Sequence, residues 1–521
     1  MYISKLDRYK YNKGHFFKKI SERKRIKNNE NYIKLRLNNT LFDDINGVCL
    51  DIDQRRIIVS EEDSTLVIAG AGSGKTLTIV GRVIYLVENG VKPSDILVIS
   101  FTNASSLNLR NKILNNGIEV DVMTFHKLGR KILKDNGCYV TLVSDGILEN
   151  IVDETFSDCL NLEKLIPDVK FVTFGNEDMS DLYREIMLMS YEVLSLKKLM
   201  ITFLNLFKSN NYGVSDFQLF LEQNERKHGY SYERCKLFLQ LARDIYIDYQ
   251  YYLEKNNEID FYDMINKSID AVLQKEMYAY KYLIIDEYQD TSLVKCRLIQ
   301  AIKKNCGCSL LAVGDDFQSI YRFTGTNLKV FTDFESFFPL SLIFKLEKTY
   351  RNSKQLLDIT SKFILKNKKQ IFKRLYSDKC NNKPIYICYY EDDYREVLDD
   401  VVKIIGGNDI LVLGRNNSNL FNINYRCMTV HKSKGLEADN VIIVGLEDSI
   451  TGFPCKIVND EVLKYVVSEE DSILYEEERR LFYVALTRTR NSNYLLVNKN
   501  KPSIFVRELI SDNDNIVYLK L

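Results

Sequence analysis

The sequence predicts an α/β protein built on two parallel sheets, with a mainly helical insertion in the first. Three observations carry this. Short, continuously apolar runs recur along the chain, several end in a Gly-rich turn or an acidic cluster, and helical periodicity fills the spaces between them. Strands that are apolar on both faces belong to sheets covered on both sides, which is how parallel sheets are built. Leu66-Val67-Ile68-Ala69 is the first run, followed by a Gly-rich turn and a helical pattern from Lys75 to Asn89. Ile96-Leu97-Val98-Ile99-Ser100 is the second. Tyr282-Leu283-Ile284-Ile285 runs into Asp286-Glu287, and Leu310-Leu311-Ala312-Val313 into Gly314-Asp315-Asp316. Between them, residues 134–257 carry Leu, Phe, Tyr, Glu and Lys at helical spacing, as in Leu182–Leu206 and Tyr232–Leu253. The strand rhythm resumes with Ile385-Tyr386-Ile387-Cys388, Ile410-Leu411-Val412-Leu413, Val441-Ile442-Ile443-Val444 and Tyr494-Leu495-Leu496-Val497. The expected division is a basic segment (1–46), a first sheet domain in two pieces (47–133 and 258–339), a helical insertion (134–257) and a second sheet domain (340–521).

Composition narrows the function classes. With 521 residues, 45% hydrophobic and 27% charged, the chain can bury large cores, and wholesale disorder is excluded. A net charge of +1 excludes a globally basic nucleic-acid coat, so any such surface is local. The first 36 residues hold twelve basic side chains against three acidic ones, with Phe16, Phe17 and Ile20 interleaved. Two readings of this segment stand: a solvated tail or docking helix, and an arm that grips phosphates. The eleven cysteines form no CxxC pair, no apolar run is long enough to span a membrane, and the N-terminus lacks the apolar stretch of a secretion signal. The expectation is a cytoplasmic protein with reduced thiols.

Chemistry enters at Ala69-Gly70-Ala71-Gly72-Ser73-Gly74-Lys75-Thr76. Alternating glycines between a strand and a helix let backbone N–H groups surround phosphate oxygens. Lys75 is placed to reach the outer phosphates and the Thr76 hydroxyl to ligate Mg²⁺. Asp286 and Glu287, at another strand end, suit a Mg²⁺-holding carboxylate and a base that orients and deprotonates water. ATP and Mg²⁺ are thus the expected cofactors. Phosphoryl transfer mostly needs positioning and charge neutralisation, which these groups supply.

Further motifs follow in a fixed order: Phe101-Thr102-Asn103, Thr124-Phe125-His126, Asp286 to Thr291, Val313 to Phe323, Leu346 to Ser353, Thr429 to Asp439 and Glu477 to Arg488, with Asp53-Gln54 ahead of the phosphate loop. This ordered set resembles that of the UvrD/Rep-type superfamily 1 DNA helicases. The stretches Glu437-Ala438-Asp439, Gly452-Phe453-Pro454 and Asn500-Lys501-Pro502-Ser503 are most similar to the helicase IV branch. The resemblance implies two RecA-like P-loop domains, 1A and 2A, and a helical 1B insertion. It implies that Gln54 reads adenine, Tyr350 stacks on it, Gln318 senses the γ-phosphate and Glu437 contacts ribose. Arg351 and Arg488 are implied as arginine fingers from the second sheet domain. Phe101, Thr102, Asn103, Thr124, Phe125, His126, Tyr321, Phe323 and His431 are implied to line a single-strand track.

Departures matter too. Ala104-Ser105-Ser106 stands where relatives have Lys-Ala-Ala, and Thr324 where many have Arg. Arg351 and His431 are only 80 residues apart, too few for a large 2B subdomain, whereas the 211 residues between Lys75 and Asp286 accommodate 1B.

The functional expectation is an ATP-driven single-stranded DNA translocase and helicase, moving 3′ to 5′, in repair, recombination or replication-associated processing. Its partners would be single-stranded or tailed duplex DNA, with RNA open and a protein partner for unwinding. A monomer is expected. The alternative is a nucleic-acid-stimulated ATPase switch, or a defence-complex subunit that does not unwind by itself.

Overall fold

The computed structural model describes residues 24–158, 165, 191–225, 230–274, 280–407, 409–456, 460–467, 474–513 and 515–519. Phe16, Phe17 and Ile20 of the basic segment, and residues 182–190 of one expected helix, lie outside the described residues.

The first sheet comprises β1 (Ser64–Ala69), β2 (Ile96–Ser100), β3 (Asp121–Thr124), β6 (Tyr282–Ile285), β7 (Ser309–Gly314) and β8 (Leu342–Leu346). Between β3 and β6 lie two short strands, β4 (Thr141–Leu142) and β5 (Glu258–Ile259). The sheet order is β3-β2-β6-β7-β1-β8, and every pairing is parallel. β1 therefore lies between β7 and β8, with β6 one strand further out, so three motif-bearing strand ends open into one crevice. Ligands of open parallel sheets bind beyond those ends. Leu66, Ile68, Leu283, Ile285 and Leu310 pack one face, and Val67, Val98, Ile284 and Val313 the other. The continuous apolar character of these strands follows from this two-sided burial.

The second sheet contains β9 (Ile385–Tyr390), β10 (Ile410–Gly414), β11 (Cys427–Thr429), β12 (Ala438–Leu446), β13 (Thr489–Asn498) and β14 (Ile516–Leu519). Its order is β11-β10-β12-β13-β9-β14, again parallel throughout. The α/β expectation of two covered parallel sheets is met.

Two expected boundaries need correction. β8 pairs with β1 from Thr65↔Leu342 to Ala69↔Leu346, so the first sheet extends past residue 339. Its solvent-alternating pattern, Leu342-Ile343-Phe344-Lys345-Leu346, is that of an edge strand and hid it from a search for fully apolar runs. At the other end, residues 24–36 are helical, and Ile33, Phe42 and Ile45 enter the first lobe's core. The described part of the basic segment is thus docked, not a free tail.

The insertion leaves and rejoins the first lobe through β4 and β5, which pair in parallel. Helices Ile147–Asp158, Tyr191–Ser209, Val214–Asn224 and Tyr230–Asn256 enclose an aromatic core of Phe203, Phe207, Phe217 and Phe238. One contribution to this core comes from far along the chain. After β12 the second lobe sends out a strap, and its turn Glu461–Tyr465 brings Val462, Leu463 and Val466 into the insertion's core. No helix among the described residues is long and apolar enough to cross a membrane.

Candidate functional site

β1 ends at Ala69, and the chain turns through Gly72 (φ 71°) and Gly74 (φ 83°) before the helix Lys75–Glu88. Both glycines occupy the left-handed region that L side chains avoid. Space also forbids a side chain: a Cβ on Gly72 would lie 2.5 Å from Arg351 Cβ, and one on Gly74 2.5 Å from Gln54 Nε2. The loop is sealed from behind by the chain leaving β8. Gly70 N–H donates to Leu346 O (3.2 Å), Thr349 Oγ1 to Ala71 O (2.7 Å) and Tyr350 N–H to Gly72 O (2.9 Å). Ser73 Oγ closes the turn on Gly70 O, while Lys75 and Thr76 remain half-exposed at its mouth.

Gln54 sits beside the loop in a capping box with Asp51, its Oε1 accepting from Asp51 N–H. Its Nε2 is buried without a partner, an orphaned donor that suits a purine edge. Tyr350 stands on the same side, 41% exposed, with its hydroxyl donating to Asp51 Oδ2 (2.5 Å).

Asp286 is buried at the end of β6. Burial, and then the neighbouring Glu287 charge, push its carboxyl up to about 7. Burial pushes Glu287 the same way, but Lys75 and Lys434 overcome it and hold that carboxyl below its ordinary range. Glu287 has φ 52°, a rare backbone state for a side-chain-bearing residue, and accepts from Gln289 Nε2 (2.5 Å). The two carboxylates therefore differ: their surroundings hold Glu287 below its ordinary range and push Asp286 above its own. Among the described residues no group of three or more His, Cys, Asp or Glu side chains forms a metal cage. Mg²⁺ held by one carboxylate, a hydroxyl and phosphate oxygens needs no such cage, and Asp286 and Thr76 are suitable hard donors.

Across the crevice, Gln318 is buried between lobes. Its Nε2 donates to Asp315 Oδ2 (2.6 Å), and its Oε1 accepts from Arg488 Nη2 (2.8 Å). Arg488 follows the helix Glu476–Leu486, and burial lowers its guanidinium to about 9, with Arg351 as the next cause. Arg351 lies where the chain passes from β8 to the helix Lys354–Ile364, which packs in the second lobe's core, and its Nη1 donates to Thr487 O (3.3 Å). Its Nε donates to Glu437 Oε2 (2.7 Å) of the second lobe. Glu437 is also held by Arg490.

Sequence reasoning missed several members of this network. Lys373, fully buried, is ion-paired with Asp315 and Asp316 and lies 3.6 Å from the Phe317 ring centroid. Lys434 pairs with Asp290, donates to Gln318 O (2.8 Å), and stands 4.0 Å from Glu287. The second lysine of His431-Lys432-Ser433-Lys434 was visible as a signal. Lys373, in a loop without a phosphate or acid motif, was not.

The expected track residues separate into groups. Phe101 stacks on Tyr321 (5.4 Å, 18°), Tyr321 meets Phe323 (6.1 Å), and Phe323 meets His431 (5.6 Å), giving one aromatic row across both lobes. The Tyr321 hydroxyl donates to His431 O (3.1 Å), and Lys434 Nζ lies 5.0 Å from the Tyr321 ring. The row borders a cavity of about 1090 Å³ lined by Arg415, Lys432, Lys456 and Lys464 among others. Phe125 does not join the row. It is 4% exposed and packs in the first lobe's core, which corrects its expected role as a stacking surface. Thr102 and Thr124 cap the helices Asn103–Leu114 and Phe125–Asp135, so their hydroxyls are engaged locally, while Asn103 is exposed. His126 rests on Phe261 (4.7 Å). Burial lowers His126 and His431 to about 4, so at neutral pH both present uncharged rings.

Comparison with known proteins agrees with this layout. Residues 50–339 match the UvrD/REP helicase N-terminal domain, and residues 410–500 the UvrD-like helicase C-terminal domain. The chain is similar to DNA helicase IV of Escherichia coli, at 29% identity over 94% of this chain and 74% of that protein. It is also similar to the ATP-dependent DNA helicase srs2 of Schizosaccharomyces pombe, at 26% identity over 89% of this chain and 54% of that protein. With PcrA of Staphylococcus aureus the identity is 26%, over 68% of this chain and 45% of that protein. Against relatives such as srs2 and PcrA, the chain thus spans about half their length. A phosphate loop, a buried acid pair and arginines meeting across two parallel-sheet lobes, matched over more than half its length, make this chain a member of the UvrD/Rep helicase family.

Proposed function

We propose that the chain is an ATP-driven DNA translocase and helicase, with the first sheet lobe as 1A, the insertion as 1B and the second sheet lobe as 2A. The observation that carries this is Gln318, which joins the nucleotide cleft to the other lobe: it touches Asp315 on one side and Arg488 on the other. On this reading Lys75 and the loop amides bind the triphosphate, Gln54 and Tyr350 hold the base, and Glu437 releases Arg351 to reach the phosphates. Bound Mg²⁺, held by Thr76 and Asp286, would neutralise phosphate charge. Glu287, kept anionic by Lys75 and Lys434, orients the attacking water and takes its proton. Arg351 and Arg488 stabilise the transferring phosphoryl group, a contribution on the order of 10³–10⁵ in rate.

Movement follows from where Lys434 sits. It contacts Asp290 and Gln318 O on the nucleotide side and the Tyr321 ring on the track side. Closing the cleft therefore shifts the aromatic row, on which stacking contributes about 1–3 kcal/mol per base. Release after hydrolysis resets it. The reading includes 3′ to 5′ travel on single-stranded or tailed duplex DNA during repair or recombination.

A second reading, an ATPase switch that does not unwind, is favoured by one observation. Ala104 stands where relatives have lysine, and the Thr102 hydroxyl is tied to Ser105 (2.8 Å). The test is ATPase and strand displacement on matched DNA and RNA with either overhang. Hydrolysis strongly stimulated by single strands and abolished by Lys75→Ala, with unwinding of a 3′-tailed duplex, is expected. Stimulation without unwinding favours the switch, and hydrolysis indifferent to nucleic acid overturns both.

A further inference from the structure

The helix Leu293–Cys306 begins just beyond the buried acids, capped by Ser292, whose Oγ accepts from Lys295 N–H (3.4 Å). Lys295, half-buried in the first turn, points at the track: its Nζ lies 4.7 Å from the Phe101 ring centroid and 5.7 Å from that of Phe125. Phe101 is the ring that stacks on Tyr321. The nearby carboxylate of Asp290 is ion-paired with Lys434 through one oxygen and acts on Lys295 only through space. Among the described residues, no carboxylate forms an ion pair with Lys295. An ammonium withdrawn from water without an anion is costly, and ring faces compensate only in part.

We propose that Lys295 is a phosphate-contacting residue of the nucleic-acid track, holding the backbone of a single strand whose base lies on the Phe101–Tyr321 pair. It places a lysine at the track from a different helix than the one on which Ala104 stands where relatives have lysine. This inference rests on the reading that the chain binds single strands.

Three further features fit. Burial lowers the Lys295 ammonium to about 8 against the opposing charge of Asp290, and a phosphate in direct contact would favour the charged form further. Its charge contributes to keeping His126 neutral, so the two do not compete for one phosphate. And the first turn of a helix adds amide dipoles favourable to an anion at the same place.

The experiment measures equilibrium binding of the full chain to an oligo(dT) across a NaCl series, for the wild type, Lys295→Met, Lys295→Arg and Lys304→Met. Methionine keeps an unbranched stem against Phe101 and Phe125, and arginine keeps the charge. Lys304 is exposed at the far end of the same helix. One lost phosphate contact lowers the slope of log K against log [NaCl] by about 0.7 on single strands. Lys295→Met is expected to show that drop, with binding several-fold weaker at low salt and ATP binding unchanged. Lys295→Arg is expected to keep the slope, as is Lys304→Met. An unchanged slope in Lys295→Met, or an equal drop in Lys304→Met, overturns the inference. A wild type that binds no oligonucleotide instead overturns the functional reading on which it rests.

Discussion

At the nucleotide cleft the two lobes meet through polar contacts, among them Arg488 to Gln318, Arg351 to Glu437 and Lys434 to Asp290, flanked by Phe317 and Ile320, which are buried against the second lobe. At the strap the second lobe meets the insertion through a core: Val462, Leu463 and Val466 are buried among the insertion's aromatics. Arg234 clasps Asp460 with two bonds (3.0 and 2.6 Å), Asn210 Nδ2 donates to Val466 O (2.7 Å), and the Tyr465 hydroxyl to Asn224 Oδ1 (3.1 Å). On the proposed reading, the ion-paired arginines and lysine of the first seam can exchange their carboxylates for phosphates. The second adds an apolar core to its polar bonds, and its separation would expose those side chains to water at about 25 cal/mol per Å². On the proposed reading the first seam changes partners in each cycle, while the second keeps the insertion coupled to the second lobe.

Substitutions separate the two seams, beginning with the largest effect. Arg488→Ala is expected to lower single-strand-stimulated kcat on the order of 10³-fold or more while nucleotide affinity changes little. A parallel loss of ATP binding, measured by titration with a fluorescent analogue, would mark Arg488 as a ground-state contact instead. Lys373→Met leaves Asp315 and Asp316 buried without their cation and is expected to cost about 3–5 kcal/mol in urea unfolding.

Arg234→Ala attacks the strap. Because Asp460 is partly exposed, the expected loss is smaller, about 2 kcal/mol. DNA-independent ATPase should persist, and DNA-dependent unwinding should fall; the reverse pattern would mean that the strap belongs to the nucleotide seam. The Arg234 guanidinium holds Asp460 below the usual carboxylate range against the opposing effect of burial. That stabilisation is therefore complete above the unfolded Asp value and fades only as acid approaches the lower folded value. Glu437→Gln frees Arg351 and is expected to change stability by under about 1 kcal/mol, given its exposure, while tightening ATP binding.

The smallest effect concerns His431. Neutral already, it gains charge only near pH 4, so His431→Gln should leave the pH profile of DNA binding between 5.5 and 7 superimposable on the wild type. A profile flattened near 6.5 would show a charged histidine on the track.

What was legible followed from local chemistry. The phosphate loop was readable because its glycines need a left-handed backbone, and the central strands because two-sided burial demands unbroken apolar runs. β8 escaped because an edge strand alternates. Phe125 was misassigned because an aromatic beside a motif looks the same whether its ring packs inward or outward. Lys295 went unnoticed for a related reason: a lysine at the start of a helix is ordinary until the chain folds it beneath Phe101.

The strap shows the same boundary from the other side. Nothing near Asp460 announces a partner, because Arg234 is 226 positions away and their meeting depends on where a helical insertion is placed. The sequence by itself determined the strands, the phosphate grip and the acid pair, since each depends on residues close together along the chain. Only the tertiary structure decided which cations face which anions across the lobes, because pairing through space is set by the packing of whole sheets and not by spacing along the backbone.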